Sequence, residues 1–83
     1  MPIKLAIIGG GSSSFVPPLI RRLIQSPVLS SAAVTLMDVD AGRLEVMDAL
    51  ANRLIDSERS PLTVRSTLDQ REALVDSDFV IAA

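Results

Sequence analysis

Two features of the sequence could do chemistry: the run Gly9-Gly10-Gly11-Ser12-Ser13-Ser14 and the carboxylate of Asp38. Glycine has no Cβ, so a bound group can approach its backbone closely, and where such a turn opens a helix the first N–H groups and the helix dipole favour an anion. A pyrophosphate is the anion that a turn of this kind suits. Gly9 and Gly11 occupy the first two glycine positions of G-x-G-x-x-G, with Gly10 between them, and Ser14 stands at the third, where close helix-to-strand packing usually asks for Gly or Ala. Ser12 and Ser13 add hydroxyls able to donate to phosphate oxygens. The competing reading is a tight turn with serines that merely cap the helix. A Walker loop is disfavoured, because no G-K-S/T follows and the nearest lysine is Lys4.

Asp38 closes Thr35-Leu36-Met37-Asp38, where a carboxylate can accept hydrogen bonds from both ribose hydroxyls of an adenosine. It would repel a 2′-phosphate, which favours NAD over NADP, although Arg43 leaves dual use open. The spacing from Gly9 exceeds the usual ~20 residues, and the loop at Val28 to Ala32 accounts for the excess. The competing role for Asp38 is to cap the following helix, a position that suits Asp40 better.

These groups need a strand–turn–helix frame, and the pattern supplies one. Ile3 to Ile8 is a short apolar run ended by glycines, the signature of a parallel strand buried on both faces. Phe15, Val16, Leu19, Ile20, Leu23 and Ile24 recur four apart, which predicts a helix over Ser14 to Gln25, with Pro17 and Pro18 in its first turn and Ser26-Pro27 at its end. Ala33 to Met37 reads as a second strand. Leu44, Met47, Leu50, Ala51, Leu54 and Ile55 form the apolar face of a second helix capped by Asp40. Leu62 to Ser66, Asp69 to Val75, and Phe79 to Ala83 read as strand, short helix and strand. The expected fold is α/β, a Rossmann-type parallel sheet with flanking helices and right-handed crossovers. The remaining acids have structural readings: Glu45, Asp48, Asp56 and Glu58 on a solvated face, and Asp69, Asp76 and Asp78 as caps and turn formers.

Composition narrows the classes. The chain has 83 residues, 48% hydrophobic and 22% charged, as expected of a folded segment. That length is half or less of a usual dinucleotide-binding domain, so residues 1–83 are expected to form its N-terminal part, with a complete enzyme extending beyond Ala83. Net charge is −2, and the eight Lys and Arg are scattered, which argues against a nucleic-acid partner. No run approaches a membrane span and the first residues do not resemble a signal peptide, so a cytoplasmic protein is expected. Without Cys or His, the chain offers no soft metal ligands of its own.

Ile7-Ile8-Gly9-Gly10-Gly11-Ser12-Ser13-Ser14-Phe15-Val16, Leu36-Met37-Asp38-Val39-Asp40 with Arg43-Leu44, and Glu72-Ala73-Leu74 with Asp76 to Ile81 together resemble the N-terminus of the family 4 glycoside hydrolases. The resemblance covers essentially the whole chain. It implies a relative of lactate and malate dehydrogenases that uses NAD and a divalent metal, usually manganese, to cleave small-molecule glycosides by redox elimination, an exception to the two-carboxylate mechanism. In that chemistry the sugar C3 hydroxyl is oxidised, the metal polarises the ketone, and a base removes the C2 proton. The C1 group then leaves, water adds and hydride returns. Only cofactor-holding residues map here, at Gly9, Gly11, Ser12 and Asp38, and the family's metal ligands and acid/base fall outside the chain. By this resemblance the fragment alone is inactive and the protein a possible homo-oligomer. The Phe15-Val16 pair is closer to the α-glucosidase, α-galactosidase and α-galacturonidase members than to the 6-phospho-β-glucosidases, which tend to show Tyr-Thr-Pro there. Two alternatives share the same residues: an NAD-dependent dehydrogenase of lactate/malate type and a non-enzymatic NAD-sensing domain.

Overall fold

The computed structural model describes residues 2–83. Its elements are β1 (Lys4–Ile8), α1 (Val16–Gln25), β2 (Ala33–Met37), α2 (Ala41–Glu58), β3 (Thr63–Thr67), α3 (Gln70–Leu74) and β4 (Phe79–Ala82). The strands form one parallel sheet in the order β3-β2-β1-β4, with Lys4 to Ile8 in register with Ala33 to Met37. This is the expected Rossmann-type arrangement.

Period-two alternation sorts the strand side chains. Leu5 and Ile7 of β1 and Val34 and Leu36 of β2 point to one face and pack with Val16, Ile20 and Leu23 of α1 and with Leu44, Met47, Ala51 and Ile55 of α2. The opposite face carries Thr35, whose hydroxyl accepts from Arg65 Nε at 3.3 Å, and Arg65 in turn reaches Glu72 of α3 at 3.4 Å. So α1 and α2 cover one side and the short α3 part of the other.

Element ends follow local chemistry. α1 begins at Val16, two residues later than expected, because Ser12 to Phe15 form a separate turn in which Ser12 O accepts the Val16 N–H at 3.0 Å. Pro17 and Pro18 fill the first turn of the helix, where missing N–H groups cost nothing. Asp40 caps α2, its Oδ1 accepting the Arg43 N–H at 3.0 Å, and Arg59 ends that helix in the left-handed region with φ of 50°. β3 starts at Thr63 and not Leu62, whose side chain turns into the core with 2% exposure while its N–H bonds Ser60 Oγ. The edge strand β4 leaves Phe79 and Val80 more than half exposed.

Candidate functional site

The strand order reverses between β1 and β4, and the turn after β1 lies at that reversal, beyond the carboxyl ends of the strands. Open α/β sheets form their ligand crevice at this point. The turn is fixed from both sides. Gly9 and Gly10 both donate their N–H groups to Met37 O at 2.8 Å, while Ala83 N donates to Ile8 O at 2.8 Å. Gly9 adopts φ of +85°, a conformation that glycine alone takes without strain, and a Cβ there would lie 3.2 Å from Ala83 Cβ.

The other two glycines are required by the chain's own packing. A Cβ on Gly10 would fall 2.7 Å from Leu36 Cβ, and one on Gly11 would fall 2.8 Å from Arg43 Cβ and 2.9 Å from Asp38 Oδ2. Ligand approach is the role expected of these glycines, and close helix packing that of Ser14; Ser14 is exposed, and the tight packing falls at Gly10 and Gly11, against β2 and α2.

Donors in the turn are distributed differently from expectation as well. The first turn of α1 retains no free N–H at its start, since Val16 N bonds Ser12 O and the next two residues are prolines. Ser12 is occupied in holding the turn: its N–H bonds Gly9 O at 3.1 Å, and its Oγ accepts the Phe15 N–H at 3.3 Å and lies 3.4 Å from Ser14 Oγ. Among the described residues, the Ser13 and Ser14 amides have no hydrogen-bond partner, and both side chains are exposed. Those two amides are open to an anion, and the hydroxyls of Ser12 and Ser13 can still donate, since Ser12 Oγ is the acceptor in its bond with Phe15 N–H.

Asp38 lies directly against the turn. Its Oδ2 accepts the Gly11 N–H at 2.9 Å and its Oδ1 accepts the Asp40 N–H at 3.1 Å. The Asp40 bond, then the Gly11 bond, hold its carboxyl below the ordinary aspartate value of 3.8, against a partial opposing effect of burial. Each oxygen accepts one protein hydrogen bond and keeps a lone pair. Asp38 does not cap α2; that role belongs to Asp40, which Arg43 Nε also approaches at 3.6 Å. Beside the turn, Gly11, Ser13, Gly42, Arg43, Val46 and Met47 line an open cleft of about 390 Å³. Lys4 takes no part, its Nζ bonding Val75 O.

Three further acids shape caps and turns. Asp69 caps α3 through the Arg71 and Glu72 N–H groups, Asp78 Oδ2 accepts the Lys4 N–H at 2.8 Å, and Asp76 occupies a left-handed turn at φ of 57°. The described residues include no group of three or more His, Cys, Asp or Glu able to hold a metal, and none of their helices is long and apolar enough to cross a membrane.

The sequence model of the family 4 glycosyl hydrolases matches residues 4–83. The chain is 40% identical over 84 residues to a 6-phospho-β-glucosidase of Escherichia coli (strain K12), covering 94% of this chain and 18% of that protein. An α-galactosidase of Rhizobium meliloti (strain 1021) is 29% identical over 79 residues, covering 95% of this chain and 16% of that protein. The chain thus spans less than a fifth of the length of these curated relatives. Both substrate groups occur among them, with the higher identity to the 6-phospho-β-glucosidase. Among solved structures, a 6-phospho-β-glucosidase from Thermotoga maritima superposes with a TM-score of 0.84 at 27% identity, covering 98% of this chain and 20% of that one. A 6-phospho-α-glucosidase from gut microorganisms, solved in complex with NAD and Mn2+, superposes at 0.77 with 26% identity, covering 99% of this chain and 19% of that one. With the family pattern matched from the first strand to the last and the same fold in these enzymes, the chain belongs to the family 4 glycosyl hydrolases.

Proposed function

We propose that this chain is the NAD-holding segment of a glycosidase that cleaves O-glycosidic bonds by NAD- and metal-dependent redox elimination. The observation that carries the reading is the 2.9 Å bond between Gly11 N and Asp38 Oδ2. It puts a carboxylate suited to ribose hydroxyls directly beside a turn suited to a diphosphate, and one nucleotide spans both groups. Relatives solved with NAD and manganese support the same assignment. The donor set fits a dinucleotide: free Ser13 and Ser14 amides for diphosphate oxygens, and one open lone pair on each Asp38 oxygen for the 2′- and 3′-hydroxyls. NAD, when bound, supplies a reversible hydride acceptor to the sugar.

The residues of this chain bind and orient, and none is placed in proton transfer. Asp38 also excludes a 2′-phosphate by like-charge repulsion, which selects NAD over NADP. The described residues bring no metal-ligand set together, so manganese ligands, substrate contacts and acid/base groups are assigned to the rest of the protein. The substrate is a small glycoside, and the phosphorylated glycosides named for several relatives are the first to test.

Calorimetry on the complete protein with manganese, followed by a nitrophenyl glycoside panel with and without 6-phosphate, tests the reading. NAD should bind more tightly than NADP, and Asp38→Ala should weaken NAD by roughly tenfold to a hundredfold, from about 1.5–3 kcal/mol per hydrogen bond to a charged group. Hydrolysis should require both NAD and metal. NAD binding without cleavage under any metal condition would transfer the assignment to a dehydrogenase or sensor; failure to bind any dinucleotide would remove it altogether.

A further inference from the structure

We infer that Asp38 is a positioning residue for the diphosphate-binding turn as well as a ribose acceptor, so that cofactor choice and diphosphate affinity depend on one side chain. The inference rests on the NAD-holding reading and extends it. Three observations point to it. Gly11 N–H, an amide that a glycine turn would otherwise offer to phosphate, is bonded to Asp38 Oδ2 at 2.9 Å. The second oxygen binds Asp40 N at 3.1 Å, so the carboxylate ties the turn after β1 to the start of α2. Finally, a Cβ at Gly11 would meet both Asp38 Oδ2 and Arg43 Cβ, so the turn is seated against these same groups by shape.

Gly9 and Gly10 are anchored to Met37 O and Ser12 to Gly9 O, which leaves the Asp38 contact as the tie at Gly11, immediately before the stretch that carries the free Ser13 and Ser14 amides. Loss of that tie lets Gly11 to Ser14 sample other turns, and an anion must then order them on binding. Asparagine keeps the shape of Asp38, but its Oδ1 can accept only one of the two contacts while its NH2 group faces the other N–H. Asp38→Asn is therefore expected to weaken the turn and not merely the ribose contact, and exchanging Asp38 to gain NADP use should lower affinity for both cofactors.

The test separates the two roles with 2′,3′-dideoxyadenosine diphosphate, which carries the diphosphate but neither ribose hydroxyl. Calorimetry on the complete protein should show this probe weakened by about fivefold or more in Asp38→Asn, equivalent to about 1 kcal/mol. Amide exchange at Gly11 should accelerate in the variant while the β1 amides stay protected, a pattern that general destabilisation would not give. A probe that binds the variant equally well or more tightly overturns the inference, since a pure ribose acceptor would only have repelled it. Should the variant fail to fold, the unliganded wild type decides: Gly11 exchange slower than that of Ser13 and Ser14 by about tenfold or more supports the tie. Equal exchange at the three positions overturns it. Wild type that binds neither NAD nor the probe defeats the proposed function, while the exchange comparison still reports on the turn.

Discussion

A methyl group added to Gly10 would stand 3.0 Å from both Leu36 Cα and Met37 N, backbone atoms of a buried strand that cannot swing aside. Overpacking of this kind costs about 1–3 kcal/mol, so Gly10→Ala should lower the unfolding free energy of the complete protein by that amount even without nucleotide, read as a lower denaturant midpoint at unchanged slope. A glycine kept only for ligand approach would show no such loss. Acid should act at Asp38 in a defined direction. Its folded carboxyl lies below the ordinary value of 3.8 because Asp40 and Gly11 donate to it, so its contribution is complete above that value and disappears as pH falls through the lower folded one. A carbon-13 NMR titration of the Asp38 carboxyl should therefore show it still largely ionised as the pH passes the ordinary aspartate value of 3.8, and Gly11→Ala should reduce that displacement by shifting the carboxylate. The glycine–serine run and Asp38 were legible as a pair from residue type and placement after two apolar runs. The bond between them was not, nor was the commitment of Ser12 to the turn, because both depend on how β2 and α2 close on the turn in space.

Elements were easier to read where one pattern acted alone. α2 shows its apolar face at Leu44, Met47, Ala51 and Ile55, and the Asp40 cap is where a short acceptor side chain precedes that periodicity. The start of α1 was harder. Ser12, Ser13 and Ser14 all suit a helix entry, and only the hydrogen bonds to Gly9 O and Phe15 N show that they form a turn of their own. The far end of α2 yields a stabilising substitution. Arg59 holds φ of 50° and ψ of 41°, and glycine takes this region without the roughly 1 kcal/mol that a Cβ costs. Arg59→Gly should raise the thermal midpoint by a few degrees in calorimetry. The cap of α3 gives the opposite sign. Asp69 accepts from two N–H groups of a five-residue helix, and Asp69→Ala should cost about 1 kcal/mol, seen first as faster amide exchange at Arg71 and Glu72.

At the scale of the whole molecule, the sheet has one helical face well filled and an open edge. Beside β4, Ile3, Val28, Leu29, Phe79 and Ile81 line an apolar hollow of about 500 Å³, with Phe79 57% and Val28 72% exposed. The 83-residue chain expressed by itself should accordingly self-associate as concentration rises, read by sedimentation velocity, and Phe79→Asp should reduce that association. The parallel order also sets a schedule. β1 pairs with β2 about 30 residues on and with β4 about 75 residues on, so the two ladders close loops of very different length. A chain leaving the ribosome can join Gly9 to Met37 and Gly11 to Asp38 once the second strand is out, whereas the Ala83 side of the crevice must wait for more than twice as much chain. The half of the crevice built from the glycine turn and Asp38 is thus available to fold early in synthesis, and the wall at Ala83 arrives late.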